Sequence, residues 1–473
     1  MTAIENVLAT HPQVERAVVS DGVTYVIPAE ERQTEFVTHW RQLYDDLYSA
    51  DSEAAGHTSD FSGWTSSYTG ELIPTDQMEQ WRGATVRRIR ALKPSRVLEV
   101  GVGSGLLLWH LAPDCVEYRA TDFSPVTIAK LRARLRKANV PWASRVHLRA
   151  AEAVQTDRFP EAYFDTVILN SVTMHFPGPG YLRRFIEQAL RVLAPGGRLF
   201  IGDNKNLTLL PQFLTEVQRT RDPSAAPAEI RDRVREAAMT QQWMLLSPEY
   251  FVATARELPD VAGVDIQLKR SSAVNELTSF RFDAVLHKAP ARVRSLAGVP
   301  RLAFSDLTDR ADLTGLARLL EERAGADLRV TGIPNRALTG LVAAAATIER
   351  AEPVVPQDAW GWLPEDLHLL AEQLGRKVVV TASARPDEMD AVFLGTAAEE
   401  PLTDLYEVRE PLEPAARYLN HPQAADLAED VRRFAAERLP DSDVAPIRVV
   451  SALPPAVETR LRELAQQQNG SHP

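Results

Sequence analysis

The sequence predicts an α/β fold whose main sheet is mostly parallel, accompanied by a smaller α+β domain. Between residues 95 and 290, short and almost continuously apolar runs alternate with amphipathic helical stretches. This alternation is typical of a parallel sheet covered by helices on both faces. A group of closely spaced glycines also follows the apolar pair Val97-Leu98 directly. Such glycines let the backbone approach a ligand where a strand ends and a helix begins.

The predicted strands of the main sheet follow one another along this region. They cover residues 96–100, 117–121, 145–149, 166–169 and 198–201, with a closing strand at 278–287. The turn at residues 194–197 is expected to end one helix and lead into the next strand. Outside the main sheet, strands are predicted at 16–20, 23–28, 377–381 and 391–394, and a helix at 425–438.

Composition and charge indicate which partners, which compartment and which kinds of site can be expected. The chain has 473 residues and a formal net charge of −11, which disfavours nucleic acids and anionic membranes as partners. Its single cysteine, Cys115, excludes a disulfide within the chain. The start shows no signal-peptide pattern and no apolar run reaches membrane-spanning length, so we expect a cytoplasmic protein. The histidines are scattered, and we expect no metal site.

The glycines are spaced E-x-G-x-G-x-G, from Glu99 through Gly101 and Gly103 to Gly105. This spacing differs from the fingerprint G-x-G-x-x-G of dinucleotide-binding folds. About 20 residues further on, Asp122 ends the next apolar stretch, where a ribose diol needs a hydrogen-bond acceptor. The two features together predict a site for a nucleoside without a pyrophosphate, such as S-adenosyl-L-methionine.

Six stretches of the central region occur in a characteristic order. They are GWTSSYTG at 63–70, VLEVGVGSGLLL at 97–108, TDFSP at 121–125, FDTVILNSV at 164–172, LAPGGRLFIGD at 193–203 and NELTSFR at 275–281. With them the region resembles the methyltransferase domains embedded in nonribosomal peptide synthetases. The resemblance implies a class I, Rossmann-like methyltransferase with a mainly parallel seven-stranded sheet and S-adenosyl-L-methionine as cofactor.

Both flanks are similar to a different part of those synthetases. Residues 4–19 and 431–446 resemble the small C-terminal subdomain of an adenylation domain, into which the family inserts its methyltransferase. The large, amino-acid-selecting part is missing from this sequence. The family's catalytic lysine segment, L-P-L-T-x-N-G-K, is replaced by LPPAVETR at 453–460. We therefore expect a methyltransferase that does not adenylate.

These features divide the chain into five regions. The regions are 1–28, a remnant of the adenylation subdomain; 29–94, a helical lid and N-terminal extension; 95–290, the cofactor-binding core; 291–465, an α+β domain that includes the second remnant; and 466–473, a disordered tail.

The resemblance also assigns cofactor contacts. Glu99 and the three loop glycines would shape the cradle for the methionine part, and Asp122 would accept from the ribose hydroxyls. The remaining predicted contacts are Phe123 and Glu152 at the adenine, Asn170 and Ser171 at the methionine amino group, and Tyr68 against the sulfonium.

The reaction needs an aligned and deprotonated nucleophile, because the sulfonium is already a good leaving group. His175 is the expected base, since imidazole titrates near neutral pH. Tyr68 and Glu276 are further catalytic candidates. The expected substrate-binding residues are Trp64, Asn275, Glu276, Asp203 and Arg281, of which Asp203 and Arg281 could instead form a structural ion pair.

The methyl acceptor is left open. We expect an amino acid, free or held on a carrier protein or synthetase, and methylation of its α-amine, as in most embedded relatives. Related N-methylating domains more often carry an aromatic residue at the position of His175. That departure keeps O-methylation of a carboxylate or hydroxyl, or of a small hydroxylated aromatic compound, as an alternative. A non-catalytic module that docks onto a synthetase is a further one.

Overall fold

The computed structural model describes residues 2–29, 31–49, 60–156, 158–307, 312–355, 359–395, 400–408, 410–422, 424–439, 445–450 and parts of 453–461. The predicted disordered tail, 466–473, lies outside these residues, and so does part of the segment 453–460. In the ranges described, no helix is both long and apolar enough to cross a membrane.

The chain begins with a helix and a hairpin. Helix α1 (Ala3–Leu8) is followed by strands β1 (Val14–Ser20) and β2 (Val23–Pro28), which pair antiparallel, and by helix α2 (Glu31–Ser49). Asp21 and Gly22 form the two-residue turn of the hairpin, and both have positive φ angles. Such angles match the twist of the two strands and favour a glycine in the turn.

Seven strands form the main sheet. They are β3 (Arg96–Val100), β4 (Glu117–Asp122), β5 (Val146–Ala150), β6 (Phe164–Asn170), β7 (Leu193–Lys205), β8 (Val261–Leu268) and β9 (Arg281–Lys288). Their order across the sheet is β5-β4-β3-β6-β7-β9-β8. β9 runs antiparallel to β7 and β8, and the other pairings are parallel. The predicted mainly parallel, seven-stranded α/β sheet is confirmed.

Helices cover both faces of this sheet. The helices that pack on it are α3 (Thr75–Arg90), α4 (Leu108–Leu111) and α5 (Pro125–Ala138) on one face and α6 (Pro179–Val192) and α9 (Glu249–Glu257) on the other. Helices α7 (Leu210–Arg221) and α8 (Pro227–Met239) pack against each other in a separate apolar cluster, and the short α10 (Glu276–Ser279) precedes β9. Successive residues of β3 point to opposite faces. Val97 belongs to the apolar cluster that contains Ile128 of α5, whereas Leu98 belongs to the cluster that contains Phe185 of α6.

Two local predictions need correction. The closing strand begins at Arg281 rather than at residue 278, because Asn275 starts α10: its side chain accepts a hydrogen bond from the N–H of Leu277. Residues 194–197 are not a turn before the strand but a bulge inside β7. Phe164 pairs with Leu193 and Thr166 pairs with Arg198, so the intervening residues loop out of the ladder.

A second, smaller sheet follows the main one. The elements of this region are β10 (Arg294–Ser295), β11 (Arg301–Ala303), α11 (Thr314–Glu322), β12 (Leu328–Pro334), α12 (Thr339–Glu349), α13 (Pro364–Gln373), β13 (Lys377–Ala382), β14 (Glu388–Leu394) and β15 (Leu402–Thr403). Four of them form a sheet in the order β11-β12-β14-β13.

The C-terminal elements return to the beginning of the chain. Helix α14 (Ala424–Arg438) precedes strand β16 (Ile447–Val449), which pairs in parallel with β2. On α14, Leu427 and Val431 are fully buried in one apolar cluster with Leu8 and Val26. The two ends of the sequence therefore build one three-stranded sheet with shared packing.

Candidate active site

The glycine loop after β3 is shaped by close contacts. Gly101 has φ +76°, and a Cβ there would lie 2.3 Å from Cγ2 of Val172. Gly103 also has a positive φ, and its N–H donates a hydrogen bond of 2.9 Å to the Asp122 carboxylate. Only glycine tolerates this backbone at the end of the strand without strain. The loop thus leaves free space next to the carboxyl ends of the strands.

A cavity of about 490 Å³ opens above this loop. It is bounded by the carboxyl ends of β3, β4, β6 and β7, by α2 and by the segment of residues 62–73 that precedes α3. Of the predicted site residues, the lining includes Trp64, Glu99, Gly101, Gly103, Asp122, Phe123, Glu152, Asn170, Ser171, His175, Glu276 and Arg281. The structure therefore brings together residues that lie up to 217 positions apart, from Trp64 to Arg281.

Two buried carboxyl groups lie next to the glycine loop, at one end of the cavity. Burial raises the pKa of Glu99 to about 8, although the Tyr118 hydroxyl donates a 2.8 Å hydrogen bond to it. Burial also raises the pKa of Asp122 to about 6, against the stabilising N–H groups of Ser124 and Gly103. The negative charge of Asp122 raises the pKa of Glu99 further, and that of Asp45 raises the pKa of Asp122. Both carboxylates would therefore be stabilised by ligand donors or by a ligand cation.

The strand end of β6 provides amide and hydroxyl groups. Asn170 donates through Nδ2 to Ser171 Oγ at 3.0 Å, whereas its buried Oδ1 has no hydrogen-bond partner among the described residues. Ser171 in turn donates to Asp203 at 2.8 Å. A buried acceptor without a partner costs free energy unless a ligand donates to it. Asn170 Oδ1 is thus available to a donor inside the cavity.

His175 is held in an aromatic environment. Its Nε2 lies 2.9 Å from the hydroxyl of Tyr44, and its ring packs edge-on against Trp40 at a centroid distance of 4.5 Å. Burial, together with the positive charges of Lys205 and Arg281, lowers the pKa of His175 to about 3. The imidazole is therefore neutral at physiological pH and is a weak proton acceptor. This corrects the expectation that its pKa lies near neutrality.

Glu276 faces the cavity and also holds the segment that covers it. The N–H and Oγ–H of Ser67 donate to its two carboxylate oxygens at 2.7 and 2.9 Å. Arg221 donates to the carbonyl of Ser67 at 2.8 Å. Trp64 of the same segment packs against Trp81 of α3 at a centroid distance of 4.8 Å. The predicted aromatic segment is thus fixed in place above the cavity.

Four predicted site residues lie elsewhere. Tyr68 and Asn275 line a separate cavity of about 440 Å³; the Tyr68 ring packs near Phe213, and Asn275 caps α10. Gly105 packs against Leu131, since a Cβ there would lie 2.9 Å from Leu131 Cδ1. Their predicted contacts with cofactor or substrate are therefore replaced by packing and capping.

Asp203 is the fourth, and it is fully buried beneath the cavity. It accepts a hydrogen bond of 2.9 Å from Trp81 Nε1 and forms an ion pair with Arg281, with Lys269 at 3.7 Å. Burial alone would raise its pKa, but these two cations hold the pKa of Asp203 below its usual value. The structural ion pair considered for Asp203 and Arg281 is present.

The sequence interpretation missed several residues that line the cavity, among them Lys205, Tyr44 and Trp243. Lys205 ends β7, and its Nζ lies 3.0 Å from the ring centroid of Trp243. Tyr44 reaches the cavity from α2. Lys205 could have been found, because it stands at the carboxyl end of a strand two residues after Asp203. Trp243 and Tyr44 carry no such signal, since they lie outside the sheet.

The comparisons with known proteins agree with this geometry. Residues 98–199, from β3 into β7, match the family described as a methyltransferase domain. The chain carries a methyltransferase domain. Over 95% of its length it is 36% identical to a probable non-canonical nonribosomal peptide synthetase, CymA, of Salinispora arenicola. Over 92% it is 33% identical to chondramide synthase cmdD of Chondromyces crocatus.

Over nearly its whole length the chain is thus similar to segments of nonribosomal peptide synthetases. The chain spans only 6% of CymA and 12% of cmdD. Among solved structures it is similar to the N-methyltransferase NodS of Bradyrhizobium japonicum in complex with S-adenosyl-L-homocysteine. That similarity covers 53% of this chain and 98% of NodS, with 17% identity and a TM-score of 0.32.

The cofactor of the methyltransferase is S-adenosyl-L-methionine, and the residues present fit it. The open glycine loop leaves room at the strand end, Glu99 and Asn170 Oδ1 are acceptors for an amino group, and Asp122 is an acceptor for a diol. When bound, the cofactor supplies a methyl group on a positively charged sulfur.

Proposed function

We propose that this methyltransferase methylates the α-amine of an amino acid, free or carried as a thioester. The observation that carries the proposal is the buried carboxylate of Glu276, which is only 5% exposed and lines the acceptor end of the cavity. An amine that arrives as an ammonium ion gains an attractive interaction with this carboxylate. A carboxylate acceptor would meet a like charge in a medium of low dielectric constant.

The other charges at this end support the same acceptor. Arg281 is held in an ion pair with Asp203, and His175 is uncharged because burial lowers its pKa to about 3. Burial and the neighbouring Arg281 also lower the pKa of Lys205 well below its usual value. Glu276 is thus a negative charge that an incoming substrate meets in the cavity, although Ser67 already donates to it. Each carboxylate oxygen has a second lone pair for a further donor.

The relatives suggest how the substrate is supplied. Both are synthetases, and the chain corresponds to a small share of each. We propose that a carrier protein or synthetase presents the amino acid, and that the reaction takes place in the cytoplasm. The single cysteine, Cys115, is buried and free, as is usual in a reducing compartment.

The test combines product chemistry with a substrate panel. Purified protein is incubated with methyl-deuterated S-adenosyl-L-methionine and with free amino acids or their N-acetylcysteamine thioesters. Mass spectrometry then locates the label before and after mild alkaline treatment. An N-methyl group survives that treatment, and we expect it on the α-nitrogen. A label released as methanol identifies a methyl ester and would contradict the proposal.

A further inference from the structure

We propose that Lys205 is the general base that takes a proton from the acceptor nitrogen. The inference rests on the proposed N-methylation, because an ammonium group has no lone pair until it loses a proton. It assigns to this lysine a role that neither the family motifs nor the sequence interpretation gave it.

The position of Lys205 is the first argument. It is the last residue of β7, only 8% of its surface is exposed, and it lines the cavity together with Glu276 and Arg281. Its Nζ lies 3.0 Å from the ring centroid of Trp243 and 5.6 Å from that of Phe213. Aromatic rings therefore wall this amine, and Lys205 borders both the main cavity and a small pocket that adjoins it.

The second argument is that the amine has no counter-ion. Within the described part of the chain, no hydrogen bond or ion pair of Lys205 Nζ is found, whereas the buried Lys269 has two carboxylate neighbours. Burial of an ammonium group that has no anionic partner is costly and favours the neutral amine, whereas the face of Trp243 favours the charged form. A neutral amine in a substrate cavity is a proton acceptor.

The groups around Lys205 favour this neutral form. Arg281 is its direct partner across the antiparallel pair β7–β9, which sets two cations side by side. Glu276 and Asp203 favour the charged form, but Glu276 accepts from Ser67 and Asp203 is paired with Arg281. Burial and Arg281 prevail, and the pKa of Lys205 is lowered well below its usual value. His175 is uncharged.

The step moves one proton. An N–H bond of the substrate ammonium breaks, its electron pair remains on nitrogen as the nucleophilic lone pair, and the proton forms a new N–H bond on Lys205 Nζ. The face of Trp243 stabilises the ammonium that results through a cation–π contact. Lys205 is restored when it releases the proton to solvent. His175, with a pKa of about 3, would accept the proton far less readily.

The test uses Lys205→Met and Lys205→Arg, with Lys288→Met as the matched control. Lys288 ends β9 at the opposite edge of the sheet, and its Nζ donates to the carbonyl of Leu193. We expect both Lys205 variants to lose about 10²- to 10⁴-fold in kcat, the usual range for a general base. Calorimetric binding of S-adenosyl-L-homocysteine should be unchanged, which shows that the variants are folded.

Two further measurements separate a base from a structural or binding residue. Small primary amines such as ethylamine should restore activity to Lys205→Met, and the acid limb of the kcat/KM pH profile should disappear in that variant. In the unmodified protein, competitive acetylation near neutral pH compares Lys205 with the exposed Lys377. After correction for the difference in exposure, we expect the amine of Lys205 to be the more reactive of the two.

The inference is overturned if Lys205→Arg keeps its activity, or if Lys205→Met raises KM and leaves kcat and the pH profile unchanged. Either result would make Lys205 a substrate-binding cation. If the wild-type product carries N-methyl and these variants remain active, the inference fails and the proposed function stands. If the wild-type product is an ester, the proposed function itself fails.

Discussion

At the scale of single residues, the cavity contains carboxyl groups whose burial is energetically unfavourable without a ligand. Glu99 and Asp122 lie on neighbouring strands, and burial raises the pKa of Glu99 to about 8 and that of Asp122 to about 6. The fold holds them there through Tyr118 and through the N–H groups of Gly103 and Ser124. This cost is offset when a ligand brings donors or a positive charge to these positions.

Replacing Asp122 with Ala should therefore weaken cofactor binding specifically. Hydrogen bonds to a charged acceptor contribute about 1.5–3 kcal/mol each, so loss of the diol contacts should raise the dissociation constant of S-adenosyl-L-homocysteine by about 100-fold or more. Isothermal titration calorimetry measures the change.

Asp165→Ala is the matched control for this substitution. Asp165 also accepts from two backbone N–H groups, those of Ser95 and Arg96, but at the opposite edge of the sheet. We expect it to lower stability and leave the dissociation constant within about twofold of the wild-type value. Equal losses of affinity in the two variants would show that Asp122 acts through folding alone.

At the scale of elements, the segment of residues 62–73 owes its position to a contact made far along the chain. Ser67 is fixed by Glu276, which α10 presents at its first turn. Trp64 is fixed by Trp81 of α3. Side chains of α3 and α10 thus hold the cover of the cavity in place, in addition to its own backbone hydrogen bonds, such as that from the N–H of Ser66 to the carbonyl of Glu71 at 2.7 Å.

Removing the carboxylate should loosen this segment. In Glu276→Ala we expect the amide of Ser67 to exchange its hydrogen about 10- to 100-fold faster, since a hydrogen bond to a charged acceptor is lost. Hydrogen-exchange mass spectrometry of residues 62–73 measures this. Thr69→Ala removes only an exposed hydrogen bond to the N–H of Glu71 and should leave the exchange of the Ser67 amide unchanged. Equal exchange in wild type and Glu276→Ala would refute the role of this contact.

Elements also differ in how far the sequence reveals them. β3 and the glycine loop were predictable, because apolar runs and glycine spacing are local signals. The start of β9 was misplaced, since Asn275 caps a short helix inside an apolar pattern that also suits a strand. Cofactor positions at strand ends were predictable from topology. Tyr68 was misplaced and Lys205 missed, because side-chain direction and charge pairing depend on the complete packing.

At the scale of the whole molecule, an N-terminal and a C-terminal segment pack together into one unit. β16 adds a third strand to the hairpin of β1 and β2, and α14 buries Leu427 and Val431 against Leu8 and Val26. His11 Nε2 also lies 3.3 Å from the carboxylate of Asp430 on α14. The methyltransferase core thus lies between two segments that fold as one packed unit, as the resemblance to a split adenylation subdomain would require.

The stability of this unit should be independent of cofactor binding. Leu427→Ala removes a fully buried side chain from the shared cluster, so we expect a loss of about 2–5 kcal/mol in the stability of that unit. Faster hydrogen exchange in β1 and β2 would report it. Leu369→Ala, at a leucine that is 45% exposed on α13, should cost far less.

The affinity for S-adenosyl-L-homocysteine should stay within about twofold in Leu427→Ala. Helix α2 links β2 to the cavity, but it is anchored there independently by the contact of Tyr44 with His175 and of Asp45 with Ser124. Separate contacts that share no residue contribute additively, so loosening one end of the connection leaves the other in place. A large loss of affinity would mean that the joined chain ends hold α2 over the cavity, and that the split subdomain controls access to the methyltransferase.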